Sequence, residues 1–274
     1  MSYNIFRKQR KIAVVTGATG GLGRNLIQPL LNHHYDIIIV GRNQTQLQQV
    51  VNQYGQRITA CICDISRPEE IQYLCEDIRI RFGSIHALIH CAGMIYPGAF
   101  ILQSETTILE QIQTNLTGTI LLTRGLVPLM NKGSSIIFIN SLGGLMPLKN
   151  SALYSASKFG LRGFALALSM ELKSRRISVS SIFPAAIDTH MLHREIEEGG
   201  SMLNFCSPPL PVHAVCRTII KALYQKKLEY YLPRSSAIQI KAMMLKPALI
   251  KLLMPIMERI GKKGYKEWNK SRNL

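Results

Sequence analysis

The sequence predicts an α/β fold: a doubly wound parallel sheet of about seven strands with helices on both faces, followed by a C-terminal helical extension. Three observations carry this. Short, β-branched apolar runs alternate with longer helix-forming stretches from residue 11 to residue 232 in one unbroken series, as repeated strand–helix–strand crossovers do. The first apolar run leads straight into Gly17-Ala-Thr-Gly-Gly-Leu-Gly23 and then a helix-forming stretch. At 47% hydrophobic over 274 residues, the chain can bury a substantial core. Residues 1–234 read as the sheet-bearing, Rossmann-type domain and 235–274 as the extension.

In chain order, residues 11–16 (KIAVVT) predict a buried strand, and residues 22–33 a helix that Pro29 should kink. Between them the glycines let the backbone turn tightly and approach a pyrophosphate seated at the helix N-terminus, although a plain glycine loop would look similar. A second strand, 37–40, ends in Gly41-Arg42-Asn43. Arg42 stands about 19 residues past Gly23, where an NAD-binding domain carries an acid for the ribose 2′-hydroxyl. A guanidinium there takes a 2′-phosphate, so NADP(H) is favoured over NAD(H); a solvated loop arginine is the competing reading. Residues 57–63 predict a third strand with Cys61 and Cys63 on one face, closed by Asp64 and Ile65. A helix over 67–82 has Pro68 in its first turn. Strand 86–91 is closed by Ala92-Gly93, and helices 105–113 and 116–131 meet at Asn115. Strand 135–140 ends at Ser141, a helix runs from Tyr154 to about residue 174, and strand 177–183 ends at Pro184. Helix 213–225 and strand 229–232 complete the series.

Tyr154-Ser-Ala-Ser-Lys158 is the stretch with chemistry in it. On a helix, residues four apart share a face, so a phenol and an ammonium would point into one cleft. A neighbouring cation favours the phenolate, so the tyrosine pKa is expected to fall from about 10 and make Tyr154 a proton donor and acceptor. A surface Tyr and Lys on an ordinary helix has the same spacing, and only the surrounding pattern decides between them.

The six cysteines are scattered without Cys-x-x-Cys or any zinc spacing, so they read as reduced and structural in a cytoplasmic chain, and no metal is expected. Residues 1–11 are basic but lack the apolar segment of a signal peptide, and no run of about 18 uncharged apolar residues predicts a spanning helix. The net charge of +17 suits anionic cofactors, anionic membranes or nucleic acid. It is concentrated late: residues 221–274 hold 13 Lys/Arg against 3 Asp/Glu. No basic–aromatic interleaving of the single-strand-binding kind accompanies it, so nucleic acid is not the expected partner.

Taken in order, these pieces resemble the short-chain dehydrogenase/reductase family over residues 11–232. The 13-residue step from Ser141 to Tyr154, the Ala92-Gly93 pair and the chain length resemble its short, single-domain branch. The resemblance implies that Gly17, Gly21 and Gly23, with Thr19 and Leu22 of the same turn, cradle the pyrophosphate. Asp64 and Ile65 would hold the adenine, Ala92 and Gly93 border its ribose, and Pro184, Ile187 and Thr189 flank the nicotinamide. Ser141, Tyr154 and Lys158 would be the catalytic trio, with Asn115 supporting a water that links Lys158 to solvent. The implied reaction is hydride transfer between NADP(H) and a carbonyl or alcohol substrate. A catalytically idle NADP-binding scaffold is the alternative. Oligomers, dimer or tetramer, are implied through the helices near Asn115 and Tyr154.

Three departures stand out. His90-Cys91 replaces the family's frequent Asn-Asn before Ala-Gly, and is expected to alter structure rather than chemistry, with the Cys91 thiol inert. Pro184 is followed by Ala185 rather than Gly. Gly20 stands where NADP-preferring members often have a basic residue, leaving Arg42 as the discriminator. Residues 188–211 fall where the family has a substrate lid; Met191, Leu192, Met202, Leu203 and Phe205 suit a bulky apolar, lipid- or steroid-like substrate, with Gly199-Gly200 as hinges. His190 and His193 are expected to face solvent.

Past residue 234, helices over 235–245 and 248–262 are split by Pro247. In the second, Leu249, Leu252, Leu253, Ile256, Met257 and Ile260 form a stripe opposite Lys251, Glu258 and Lys262. Such a basic amphipathic helix either lies peripherally on an anionic membrane or docks its stripe on protein.

Overall fold

The computed structural model describes residues 10–272; the basic segment read as no signal peptide falls mostly outside them. Seven strands form one sheet: β1 (Lys11–Thr16), β2 (Tyr35–Gly41), β3 (Ile58–Ile62), β4 (Ile85–His90), β5 (Met130–Ile139), β6 (Ser178–Pro184) and β7 (Glu229–Leu232). All pairings are parallel, in the order β3-β2-β1-β4-β5-β6-β7. The crossover helices are α1 (Gly21–Asn32), α2 (Gln44–Tyr54), α3 (Pro68–Phe82), α4 (Glu105–Ile112), α5 (Gly118–Leu126), α6 (Ala152–Glu171), α7 (His190–Glu197) and α8 (Val212–Gln225).

A parallel sheet is covered on both faces, so its strands are apolar at successive positions rather than alternating with polar ones. In β1, Ala13 and Val15 pack with Leu26, Ile27, Leu47 and Ile219 of α1, α2 and α8. Val14, from the other face, packs with Ile71, Leu122 and Leu161 of α3, α5 and α6. Truncating a fully buried side chain such as Phe138, which stacks on His90 and meets Phe164 edge-on, typically costs about 3–5 kcal/mol.

The predicted strands all form, and Cys61 and Cys63 do lie in one core layer. The differences have physical causes. Helix α2 was not foreseen, because its Gln-rich sequence buries only Leu47 and Val50; the Asn43 side chain starts it by accepting from the Gln46 N–H at 2.9 Å. The helix predicted over 116–131 ends at Leu126, since Pro128 has no N–H to continue it, and β5 begins at Met130. Residues 113–117 form a π turn that presents Asn115 inward. Helix α1 runs on through Pro29.

The extension forms α9 (Arg234–Met244) and α10 (Ala248–Arg272), the latter ten residues longer than predicted. Its glycines do not stop it because they are where it touches the body. A Cβ at Gly261 would lie 2.1 Å from the Met202 carbonyl oxygen, and one at Gly264 2.1 Å from that of Phe205. Ala237, Ile240 and Ile250 join Leu145, Met146, Phe183 and Leu203 in a third apolar cluster, so the extension covers the 188–211 segment.

Candidate active site

Neighbouring strands β1 and β4 send their crossovers to opposite faces of the sheet, which leaves a crevice beyond their C-terminal ends. A cavity of about 620 Å³ opens there. Gly17 turns with φ +64°, and a Cβ on it would lie 2.7 Å from the Ala92 nitrogen; a Cβ on Gly23 would lie 2.3 Å from the Gly17 carbonyl oxygen. Any side chain at these two positions would force the turn away from β4 or from α1. Gly20 caps α1 without a side chain, so among the described residues no capping side chain takes the first-turn N–H groups. Gly21 faces Thr189 across the crevice: a Cβ there would meet Thr189 Cγ2 at 2.8 Å. This glycine cradle and capless helix start fit a pyrophosphate.

Every residue predicted to bind cofactor lines this cavity: Gly17, Thr19, Gly21, Leu22 and Gly23 of the turn, Arg42, Asp64, Ile65, Ala92 and Gly93 along one side, Tyr154 and Lys158, and Pro184, Ile187 and Thr189 opposite. Arg42 Nη1 lies 3.7 Å from Asp64 Oδ2. Asp64 Oδ1 accepts from the Ser66 N–H at 2.9 Å and from its hydroxyl at 2.7 Å. Burial opposes ionisation of Asp64, but the Ser66 bonds and the charges of Arg42 and Arg67 outweigh it and hold the carboxyl below its usual range. Ala185, in the place of the frequent glycine, donates its N–H to the Leu232 carbonyl at 2.7 Å and keeps the strand end closed.

At the inner end of the cavity, Ser141, Tyr154 and Lys158 converge. Ser141 accepts from the Gly143 N–H at 3.0 Å, and its hydroxyl favours ionisation of the Tyr154 phenol. Lys158 Nζ donates to the Ile139 carbonyl at 2.9 Å and lies 5.6 Å from the centre of the Tyr154 ring. Asn140, which sequence reasoning passed over, fixes the pair: its Oδ1 accepts from the Ser141 N–H at 2.9 Å and its Nδ2 donates to the Lys158 carbonyl at 3.2 Å. Asn115 is buried beneath the cavity, its amide clamping both backbone groups of Met94 at 2.8 Å and reaching Ser157 Oγ at 3.2 Å.

The expected fall in the Tyr154 pKa is not what this geometry gives. Desolvation pushes the phenol up to about 12, against the opposing Ser141 bond. Desolvation likewise pushes Lys158 down to about 8. Lys158 Nζ donates to the Ile139 carbonyl, and desolvation keeps the phenol protonated. Two further expectations are decided here. Burial raises the Cys91 thiol far above its usual range, in keeping with an inert cysteine. His190 is exposed, but His193 is not the solvent-facing residue expected: its Nε2 lies 2.8 Å from Asp188 Oδ1 and its ring meets Trp268 of α10.

Sequence reasoning also missed Glu195, a buried acid on the cavity wall. It stands in a run (Glu195, Glu197, Glu198) that reads as a solvated helix end. Desolvation pushes its carboxyl up to about 7, opposed by hydrogen bonds from Asn204 and Ser201. His90, also buried, holds Thr123 Oγ1 at 2.9 Å through Nε2, and burial pushes it down to about 3.

With this geometry, comparison with known proteins identifies the class. Residues 11–199 match the family described as short chain dehydrogenase, and the chain belongs to that family of nicotinamide-dependent oxidoreductases. An uncharacterised oxidoreductase of Staphylococcus saprophyticus is 32% identical over 188 residues, covering 66% of this chain and 80% of its own. The human 3-oxoacyl-[acyl-carrier-protein] reductase is 28% identical over 183 residues, covering 66% and 77%. A crystal structure of a variant actinorhodin polyketide ketoreductase with NADPH superposes with a TM-score of 0.71 at 24% identity, covering 81% of this chain and 95% of that one, a likeness of fold.

The buried His90 and Glu195 give opposite pH signatures. An unfolded His titrates near 6.5 and an unfolded Glu near 4.3. Folded His90 stays neutral down to about 3, so below pH 6.5 the unfolded chain takes up the extra proton and stability is lost as pH falls. Folded Glu195 stays protonated up to about 7, so its contribution is lost as pH rises from about 4.5 to 7. Between pH 5 and 6 the two offset each other. Relative to wild type, His90→Asn should tilt the unfolding free energy downward with pH by about 1.4 kcal/mol per pH unit, and Glu195→Gln upward by about as much. Urea denaturation at pH 5.0, 5.5 and 6.0 checks both signs.

Proposed function

We propose that this protein is an NADP(H)-dependent oxidoreductase that reduces a carbonyl, or oxidises the corresponding alcohol, on a bulky apolar substrate. The observation that carries the reading is the convergence of Ser141, Tyr154 and Lys158 at one end of a cavity whose other end is the glycine turn. The bound nicotinamide would supply or take up the hydride. In reduction, Ser141 donates a hydrogen bond to the carbonyl oxygen, and the protonated Tyr154 phenol delivers its proton to the oxygen as negative charge develops there. Lys158, pushed down to about 8, is poised to return a proton to Tyr154, with Asn115 holding the Met94 backbone alongside. Arg42, exposed beside Asp64, is the group for a 2′-phosphate. The apolar walls from Ile95, Leu148 and Leu192 suit an acyl or similarly apolar substrate, as does the relative whose name specifies a 3-oxoacyl group. By the family pattern the assembly is a homodimer or homotetramer joined through α5 and α6.

The same reading includes peripheral contact with an anionic membrane through α10. Among the described residues no helix is long and apolar enough to cross a membrane. Met254, Met257, Tyr265 and Trp268 turn toward the body, leaving Leu252, Ile256 and Ile260 at 71%, 54% and 51% exposure in a line one helical face wide. Arg259, Lys263, Lys266 and Lys270 continue that line as exposed cations, so apolar and basic groups meet one surface together.

Tyr154→Phe should lower turnover of NADPH with a ketone panel by about 10²- to 10⁴-fold while NADPH binding by fluorescence stays near wild type; unchanged turnover excludes Tyr154 as the proton donor, and no turnover by wild type favours the idle scaffold. Arg42→Ala should raise KM for NADPH about tenfold or more and leave KM for NADH unchanged. The double variant Leu252→Asp/Ile256→Asp should fail to pellet with phosphatidylserine vesicles that carry down the wild type; equal pelleting rejects the membrane face.

A further inference from the structure

The cavity is lined by a buried acid that neither hydride transfer nor nucleotide binding uses. Glu195, on α7, lines the cavity at 7% exposure. Both its side chain and its backbone are held in place. Oε1 accepts from Asn204 Nδ2 at 2.8 Å. The Gly200 N–H bonds the Glu195 carbonyl at 2.7 Å. Gly200 itself lies so close that a Cβ there would fall 2.4 Å from Glu195 Cγ. Among the described residues, no Lys or Arg forms an ion pair with it. A buried carboxyl without a cation is costly, and a Leu or Met would pack the same space at no such cost. Glu195 lines the same cavity as Ser141 and Tyr154.

We infer that Glu195 is a specificity-determining residue that receives a primary ammonium group on the substrate, a few bonds from the carbonyl that Ser141 and Tyr154 engage. The substrate class is then an amino ketone with an apolar remainder, and a carboxylate-bearing substrate is disfavoured by the like charge. The acid supplies the counter-charge, Asn204 orients it, and the apolar walls strengthen the pair by excluding water. Binding of the ammonium would ionise Glu195 and release its proton, so affinity should rise with pH through about 7. The cations that face the same cavity, Arg42, Arg194 and Lys158, have other places: Arg42 beside Asp64, Arg194 beside Glu198 and Lys158 on Ile139. This inference rests on the carbonyl-reducing reading of the site, and its test separates the two.

Two aliphatic ketones that differ only in an amino group beside the carbonyl are compared as substrates of wild type, Glu195→Gln and Glu195→Ala with NADPH. Wild type should favour the amino ketone in kcat/KM by about tenfold or more. Both variants should lose about 10- to 100-fold on it while staying within about twofold on the amine-free ketone. No preference in wild type, or equal losses on both ketones, overturns the inference. Binding without turnover is read separately, by calorimetry of the amino ketone with NADPH-loaded Tyr154→Phe. There, Glu195→Gln should weaken binding about tenfold or more and abolish its dependence on pH between 6 and 8. If wild type turns over neither ketone but this binding effect is present, the carbonyl reading fails and the Glu195 site stands. If the binding effect is absent, the Glu195 site fails whatever the turnover.

Discussion

The site depends on how closely two backbones approach where β1 and β4 part. Gly17 sits where a Cβ would lie 2.7 Å from the Ala92 nitrogen, and Gly23 where one would lie 2.3 Å from the Gly17 carbonyl oxygen. These contacts draw the start of α1 in over the sheet edge and make the crevice narrow enough for main-chain N–H groups to reach an anion. The remainder of the site is attached to the same edge: Ser141 one residue past Asn140 at the end of β5, and Lys158 bonded to Ile139 of that strand. A side chain at Gly17 or Gly23 would disturb both ends of the cavity, because a single sheet edge positions them.

Burial sets the protonation of this site more than neighbouring charge does. Lys158 lies 5.6 Å from the centre of the Tyr154 ring, yet each is shifted toward its neutral form, because desolvation disfavours the charged form of both. A phenol that stays protonated is suited to give a proton, and an ammonium that releases its proton near pH 8 is suited to replace it. Glu195 is likewise shifted toward its neutral form. His90 shows the same physics without the chemistry: stacked on Phe138 and bonded to Thr123, it fills the place of an asparagine in the core as a neutral ring.

The C-terminal helix belongs to the cavity as much as to the surface. Through Gly261 and Gly264 it lies directly on the backbone of Met202 and Phe205, and Phe205, Tyr265 and Trp268 close an aromatic cluster against His193. Asn204, between those two backbone contacts, holds Glu195. The wall of the cavity is thus supported from outside by a helix whose opposite face is apolar and basic. The stripe read from the sequence is divided by this packing: Met257 turns to the protein, while Leu252, Ile256 and Ile260 do not.

The strand order of motifs, the parallel sheet with two covered faces, the glycine turn and the cavity position of Arg42, Asp64, Ser141, Tyr154 and Lys158 were all legible in the chain. The sheet, the glycine turn and the Tyr154–Lys158 pair are written in local pattern: apolar runs of strand length, glycines between a strand and a helix, and residues four apart on one helix; Asp64 and Ser141 were implied by the resemblance to the family. Helix α2 was missed because only two of its residues are buried, and β5 starts early because Pro128 ends the preceding helix. What local pattern could not carry is environment. Whether Tyr154 loses or keeps its proton, whether Glu195 is a solvated helix end or a buried acid, and which side of α10 meets protein all depend on atoms brought together from distant parts of the chain, and desolvation exists only once they have been brought together.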